Sequence, residues 1–233
     1  MKKSNKSAKQ KVSSLSQSTL KKAAVTNFPT PCKEKSTLSN EEKISIIADH
    51  FSEIMDVLGL DLKDDSLHRT PYRVAKMYVN EIFSGLDTNT FPPVSFIEDR
   101  FSHGENSNTV FVTVKFNSFC EHHFVPMNGT AYIAYRPNGK LIGLSKIPRI
   151  VRYFAKRPQV QERLTAQIAD SLSTLLDTKD VAVSIVAQHF CIIARGIEDE
   201  NSQVITNVLR GSFEKDGPLR REFFEAINRK EKG

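Results

Sequence analysis

Apolar side chains recur at helical spacing through Ile44, Ile47, Ala48, Phe51, Ile54, Met55 and Leu58, and Gly59 follows as a stop. Ser39 or Asn40 can cap this helix, and Glu41 and Glu42 put negative charge in its first turn, where the helix dipole favours it. A second helix is predicted from Thr70-Pro71, where proline gives up an N–H that has no partner anyway. It continues through Val74, Met77, Tyr78 and Ile82 to Ser84-Gly85. Residues 87–108, with Pro92-Pro93 and a polar run at 102–108, read as loop. The period then falls to two. Val110, Val112, Val114 and Phe116 alternate as a strand, and 130–136 forms another, closed by Pro137-Asn138-Gly139. Helices are predicted over 145–155 and 160–176, with Pro158 between them. A β-branched strand covers 181–188, a further strand 190–197 or 203–210, and a last helix 218–230. Strands in pairs alternating with grouped helices predict an α+β fold, an antiparallel sheet with two helices on one face, preceded by N-terminal helices.

Composition changes this picture mainly at the N-terminus. The chain has 233 residues, 39% hydrophobic, enough for one core of ordinary domain size. Its net charge of +6 suggests nucleic acid, but residues 1–40 hold nine lysines against one glutamate, and the remainder is slightly acidic. The basic balance therefore belongs to the tail, which is poor in large apolar groups and is expected to be a disordered, solvated extension. The expected division is a basic tail over 1–40, a helical region with its connecting loop over 41–108, and a domain built on the strands over 109–233. No run reaches the roughly 20 apolar residues of a membrane span, and no apolar stretch backs the N-terminal lysines as a secretory signal would require. Three cysteines, Cys32, Cys120 and Cys191, are too few for a disulfide framework and point to a reducing compartment, the cytoplasm.

The chemistry concentrates in two short stretches. Cys120-Glu121-His122-His123 offers a thiolate and an imidazole three residues apart, a donor pair suited to Zn²⁺. One such pair is a weak signal. The only other cysteine beyond the tail is Cys191, in His189-Phe190-Cys191. On a strand, positions two apart share a face, so His189 and Cys191 are expected side by side. Cys120, His123 and Cys191 would give zinc three ligands and leave a fourth position for water, the pattern of a catalytic site. Zinc lowers the pKa of such a water to about 7. His189 and His122 would then be free for proton transfer. A closed structural site with His122 or His189 as fourth ligand is the alternative.

A cationic set accompanies it. Arg73 and Lys76 share a helix face, Lys146 and Arg149 repeat the spacing after Gly143-Leu144-Ser145, and Arg195 follows the second cysteine stretch. Guanidinium forks and ammonium groups suit phosphate, although each pair alone is also an ordinary solvated face. Glu162 could accept two N–H bonds from a guanine edge, or could simply favour a helix N-terminus.

At Thr70-Pro-Tyr-Arg-Val-Ala-Lys-Met77, Cys120-Glu-His-His123, Gly143-Leu-Ser-Lys146, Arg157-Pro-Gln-Val-Gln-Glu-Arg-Leu-Thr165 and His189-Phe-Cys191 with Ala194-Arg-Gly196, the chain resembles the GTP cyclohydrolase I family, in order and spacing, from about residue 41 onward. The resemblance implies the tunnelling fold, in which subunit sheets join into a barrel and pentamers stack into a decamer with active sites at subunit interfaces. It implies zinc on Cys120, His123 and Cys191, with His189 and His122 beside the reacting purine. Glu162, with Gln161, would hold guanine. Ser145 would lie beside the ribose, and Arg73, Lys76, Lys146, Arg149 and Arg195 would hold the triphosphate. The implied reaction is hydrolytic opening of the GTP imidazole ring to 7,8-dihydroneopterin triphosphate and formate, the first step of tetrahydrofolate and pterin biosynthesis. Two alternatives share the fold. The nitrile reductase of queuosine synthesis uses a nucleophilic cysteine and NADPH without the zinc triad, and a zinc-stabilised scaffold needs neither His189 nor Glu162. The chain departs from the family pattern at 202–210, where Val204 and Arg210 replace smaller or hydroxylated residues.

Overall fold

The computed structural model describes residues 15–33, 37–101 and 108–231. A first helix, α1 (Gln17–Val25), lies in the stretch expected to be disordered. Ser16 caps it by accepting the Thr19 N–H at 3.1 Å. The small side chains of Ala23 and Ala24 are completely or almost completely buried. Their size lets the helix backbone approach the body of the fold. Tyr153 Oη and Arg157 Nη2 donate to the Ala24 carbonyl at 3.3 and 3.4 Å. The Asn27 N–H donates to Asp170 Oδ2 at 3.1 Å, and Gln167 Nε2 donates to the Phe28 carbonyl at 2.7 Å. The expectation of a disordered 1–40 is thus corrected over 15–33. A composition averaged over forty residues hides one short apolar pair and a set of backbone groups met by distant side chains. Residues 1–14 and 34–36 lie outside the described residues.

Helix α2 (Asn40–Val57) starts at a complete capping box, Ser39 Oγ accepting the Glu42 N–H and Glu42 Oε2 accepting the Ser39 N–H at 2.7 Å. It packs on α3 (Thr70–Met77), which runs on into a π-helical turn at Tyr78–Ile82. The loop expected at 87–108 contains a short strand, β1 (Phe96–Glu98), paired antiparallel with β4 (Lys140–Ile142).

The main sheet is built from β2 (Val110–Cys120), β3 (Pro126–Tyr135), β5 (Pro158–Gln159), β6 (Val181–His189) and β7 (Val204–Leu209), in the order β5-β2-β3-β6-β7. All neighbours are antiparallel except β2 and β5. Alternation along the strands sends Val114, Phe116, Ile133, Val183 and Ile185 to one face. There they meet Ile147, Ile150 and Phe154 of α4 (Lys146–Ala155) and Leu164, Ile168 and Leu172 of α5 (Gln161–Leu176), all fully buried. Each such side chain contributes about 1.5–3 kcal/mol by leaving water. This is the expected pair of helices on one face. The opposite face is not left bare. Tyr132, Ala134 and Ala182 pack against Phe213 and against Phe223 and Ile227 of α8 (Gly217–Glu231). Between β7 and α8 lies the short helix α7 (Ser212–Lys215). No helix among the described residues is long and apolar enough to cross a membrane.

The atypical Arg210 is absorbed by the fold. It pairs with the almost fully buried Asp170 of α5, the same carboxylate that receives the Asn27 N–H. One buried charge thereby ties the end of β7 to the N-terminal segment.

Candidate metal centre

Strand β2 ends at Cys120, and the chain reverses through 121–125. The reversal is closed by the Phe124 N–H donating to the Cys120 carbonyl and the Cys120 N–H to the Val125 carbonyl, both at 2.9 Å. Phe124 takes a left-handed backbone, φ 53°, which a non-glycine residue adopts only at local cost. Strand β3 then carries the register to β6, with Met127 opposite His189. Beyond that pair β3 begins at Pro126, which has no N–H to offer. The ladder runs out, and the chain curls into a single helical turn, α6 (Phe190–Ile193). Cys191 therefore sits on a helical turn, and the expectation that His189 and Cys191 stand two apart on one strand is corrected.

The curl still brings the residues together. One ligand atom each from Cys120, His123 and Cys191 lie within 4.8 Å of one another. Cys120 is buried, Cys191 half-buried and His123 exposed. Zinc–sulfur and zinc–nitrogen bonds meeting at the tetrahedral angle set ligand atoms about 3.5–3.8 Å apart, so small adjustments let this group close on one ion. The donor set, two thiols and an imidazole, suits zinc. Burial pushes the Cys191 thiol up from its ordinary range, and the neighbouring Cys120 adds to the shift. A divalent cation reverses that cost by favouring both thiolates. Neither His122 nor His189 joins the group, so the closed four-ligand alternative has no fourth member from these residues. His122 is exposed, its Nδ1 3.8 Å from Cys120 Sγ.

His189 is held from behind. Its Nε2 lies 2.8 Å from Gln161 Oε1. The amide of Gln161 is oriented by its other end, where Nε2 donates to the carbonyls of Ile185 at 3.0 Å and Val204 at 2.9 Å. Its oxygen can only accept, so His189 carries a proton on Nε2, which leaves Nδ1 as the acceptor nitrogen of the neutral ring. Burial pushes the imidazole below its ordinary value, opposed by the carboxylate of Glu162, which is exposed on the first turn of α5. Gln161 was expected at the substrate. Its side chain is buried and engaged with protein partners at both ends, one of them His189.

The cationic residues stand on separate elements. Arg195 Nη1 donates to His123 Nε2 at 3.1 Å, and among the described residues it alone of the five bonds to a member of the metal group. Ser145 and Lys146 open α4, with Arg149 exposed one turn on. Arg73 and Lys76 are exposed on α3, and Lys76 lines a groove of about 430 Å³ with Glu41, Asp49 and Tyr72.

Three features escaped the sequence reading. Arg157, almost fully buried, stacks over Tyr153 and Phe154 with its carbon 4.5 and 4.9 Å from the ring centres, and its Nε donates to the Gly85 carbonyl at 2.8 Å. Thr165 and Thr206 meet at 2.6 Å beside Gln161. Glu121, between two of the metal-group residues, pairs with Arg163. The motifs contain Arg157, Glu121 and Arg163, but Gly85 and the Glu121–Arg163 pairing lie across long separations in sequence.

A model of the family "GTP cyclohydrolase I" matches residues 47–228. The chain is 53% identical over 192 residues to a GTP cyclohydrolase 1 of Aeromonas hydrophila subsp. hydrophila, covering 82% of this chain and 87% of that protein. It is 52% identical over 190 residues to the Salmonella arizonae protein of the same name, covering 82% and 85%. Among solved structures, a slight likeness is to the archaeosine synthase QueF-Like in the apo form, at a TM-score of 0.36 and 14% identity over 44% of this chain and 95% of that one. The match runs from α2 into α8 and includes both cysteine stretches, and the chain belongs to the GTP cyclohydrolase I family.

Proposed function

We propose that the chain hydrolytically opens the imidazole ring of GTP at a zinc site formed by Cys120, His123 and Cys191, giving 7,8-dihydroneopterin triphosphate and formate. The observation that carries this reading is the convergence of two thiols and an imidazole from distant stretches, beside a histidine with one nitrogen already committed. When bound, zinc supplies a hydrolytic nucleophile at neutral pH. The residues do the rest. Nδ1 of His189 can take a proton from the hydrolytic nucleophile and return it to the purine nitrogen as C8 is attacked, while Gln161 keeps Nε2 occupied and the ring fixed. His122, exposed and next to Cys120, serves a second proton transfer. Glu162 accepts from the guanine N1 and N2 edge, and adenine offers no matching pair of donors. Arg195, Lys146, Arg149, Arg73 and Lys76 take the triphosphate, and Ser145 lies beside the ribose.

The cationic residues are spread over α3, α4 and the segment after α6, which fits a site completed by neighbouring subunits. The sheet supports the same reading. Strand β5 pairs with β2 only at Phe119 and Cys120, so among the described residues most of the outer edge of β2 has no strand beside it, and β7 is the other terminal strand. Open edges of this kind need covering, and joining edges between copies would build the ring of a decamer. The three cysteines are free thiols, in keeping with a reducing cytoplasm.

The test is incubation of zinc-loaded protein with GTP, following pterin product and formate, beside Cys191→Ser. Zinc and activity should be lost together in the variant. Full activity in Cys191→Ser, or a zinc-free protein that consumes NADPH, would sink the assignment. Native mass measurement tests the ring, and a fully active monomer would refute it.

A further inference from the structure

We infer that the ion pair between Glu121 and Arg163 is a positioning device for the metal site, holding the turn that carries Cys120 and His123 at the spacing an ion requires. This rests on the reading of Cys120, His123 and Cys191 as metal ligands.

Glu121 lies between two of those ligands, and its backbone N–H donates to the Gln159 carbonyl at 2.9 Å. Its carboxylate takes a fork from Arg163, Nη1 to Oε2 at 2.5 Å and Nη2 to Oε1 at 3.2 Å. Two parallel bonds fix the plane of the carboxylate as well as its distance, which a single contact does not. The side chains of Arg163 and Glu121 are only 17% and 24% exposed, so solvent screens them less than a surface pair. Arg163 is the third residue of α5, and the next residues, Leu164 and Thr165, are fully buried. The fork therefore ends on a rigid element. On the other side, Phe124 packs edge-on against Phe83, ring centres 5.0 Å apart. The metal turn is thus held between an aromatic contact and a charged fork.

The helical turn that supplies Arg163 also supplies Gln161, the support of His189. Both halves of the site, the Cys120 turn and the end of β6, are referenced to the first turn of α5. A site held in this way spends less of the metal-binding free energy on ordering its own ligands. Changing the partner that orients a ligand typically weakens metal binding about 10–100-fold.

The experiment measures zinc dissociation constants of the full-length protein by competition with a chromophoric chelator, under reducing conditions, with metal-free melting curves alongside. Arg163→Lys keeps the charge and removes the fork. Glu121→Gln keeps the shape and removes the charge. Each should raise the zinc dissociation constant about 10–100-fold while the metal-free protein stays folded, its melting temperature falling by no more than the loss of one ion pair allows. The double variant should be no worse than the weaker-binding single, because both remove one contact. Wild-type zinc affinity in either folded single variant, or effects that multiply in the double, would overturn the inference. Should either fail to fold, Glu121→Asp, which retains charge but shortens the arm, must bind zinc more weakly than wild type, and unchanged affinity there is equally fatal. Cys191→Ser in the same assay separates the two claims. If it keeps zinc, the ligand assignment is wrong. If it loses zinc while the Glu121 and Arg163 variants bind normally, only the positioning role fails.

Discussion

Removing residues 1–33 should destabilise the protein, because the N-terminal segment is part of the packed structure. Four side-chain bonds go with it: Asp170 Oδ2 loses the Asn27 N–H, Gln167 Nε2 the Phe28 carbonyl, and Tyr153 Oη and Arg157 Nη2 the Ala24 carbonyl. At about 0.5–1.5 kcal/mol each, these bonds amount to roughly 2–6 kcal/mol. Water reaching the uncovered groups replaces part of this, so about 2–4 kcal/mol is the expected loss. For a chain of this size 1 kcal/mol moves the melting temperature about 2–4 °C, giving a fall of roughly 5–15 °C. Differential scanning calorimetry of full-length and truncated protein, both zinc-loaded, reads it directly. A point variant separates packing from chain length. Ala23 is fully buried, so Ala23→Leu overfills its site and should cost about 1–3 kcal/mol in the intact chain. A truncated protein melting within 2 °C of the full chain, with Ala23→Leu equally neutral, would refute the docking of α1.

Other outcomes follow from single contacts. Gln161→Leu strips His189 of its support, and kcat should fall about 100-fold or more while zinc content and KM stay near wild type, checked by steady-state kinetics with metal analysis; a change under threefold would remove Gln161 from the mechanism. Gly85→Ala forces a methyl against the backbone carbonyls of Tyr153 and Lys156, and should cost about 3 kcal/mol or more in urea unfolding. Arg163 holds the Glu121 carboxyl below its ordinary carboxylate value. The stability it contributes is present above the unfolded pKa and is lost as pH falls through the lowered one. The melting temperature of Glu121→Gln should therefore decline less steeply between about pH 5 and pH 3 than that of wild type, and parallel curves would refute the pairing.

Much of the fold was legible because its signals are local. The alternation of Val110 to Phe116 and the cap at Ser39 name a strand and a helix start without knowledge of anything distant. The readings that changed involve partners far along the chain. Ala23 and Ala24 look like two small residues in a lysine-rich stretch until Arg157 and Tyr153 arrive from more than a hundred positions away. Gln161 looks like a neighbour of Glu162 until the carbonyls of β6 and β7 orient its amide toward His189. Cys191 looks like a strand residue until Pro126 ends the ladder beside it.

The sequence by itself determined which side chains have metal-binding and proton-transfer chemistry to offer, because those properties belong to the residue types and to spacings of a few residues. Only the tertiary structure decided which of them meet. Whether Cys191 reaches Cys120, which nitrogen of His189 is free, and what steadies Glu121 all depend on backbone paths that cross the sheet, and on carbonyls and carboxylates supplied by other elements. Contacts between remote residues depend on the packing of the whole core, and no short window of sequence contains that information.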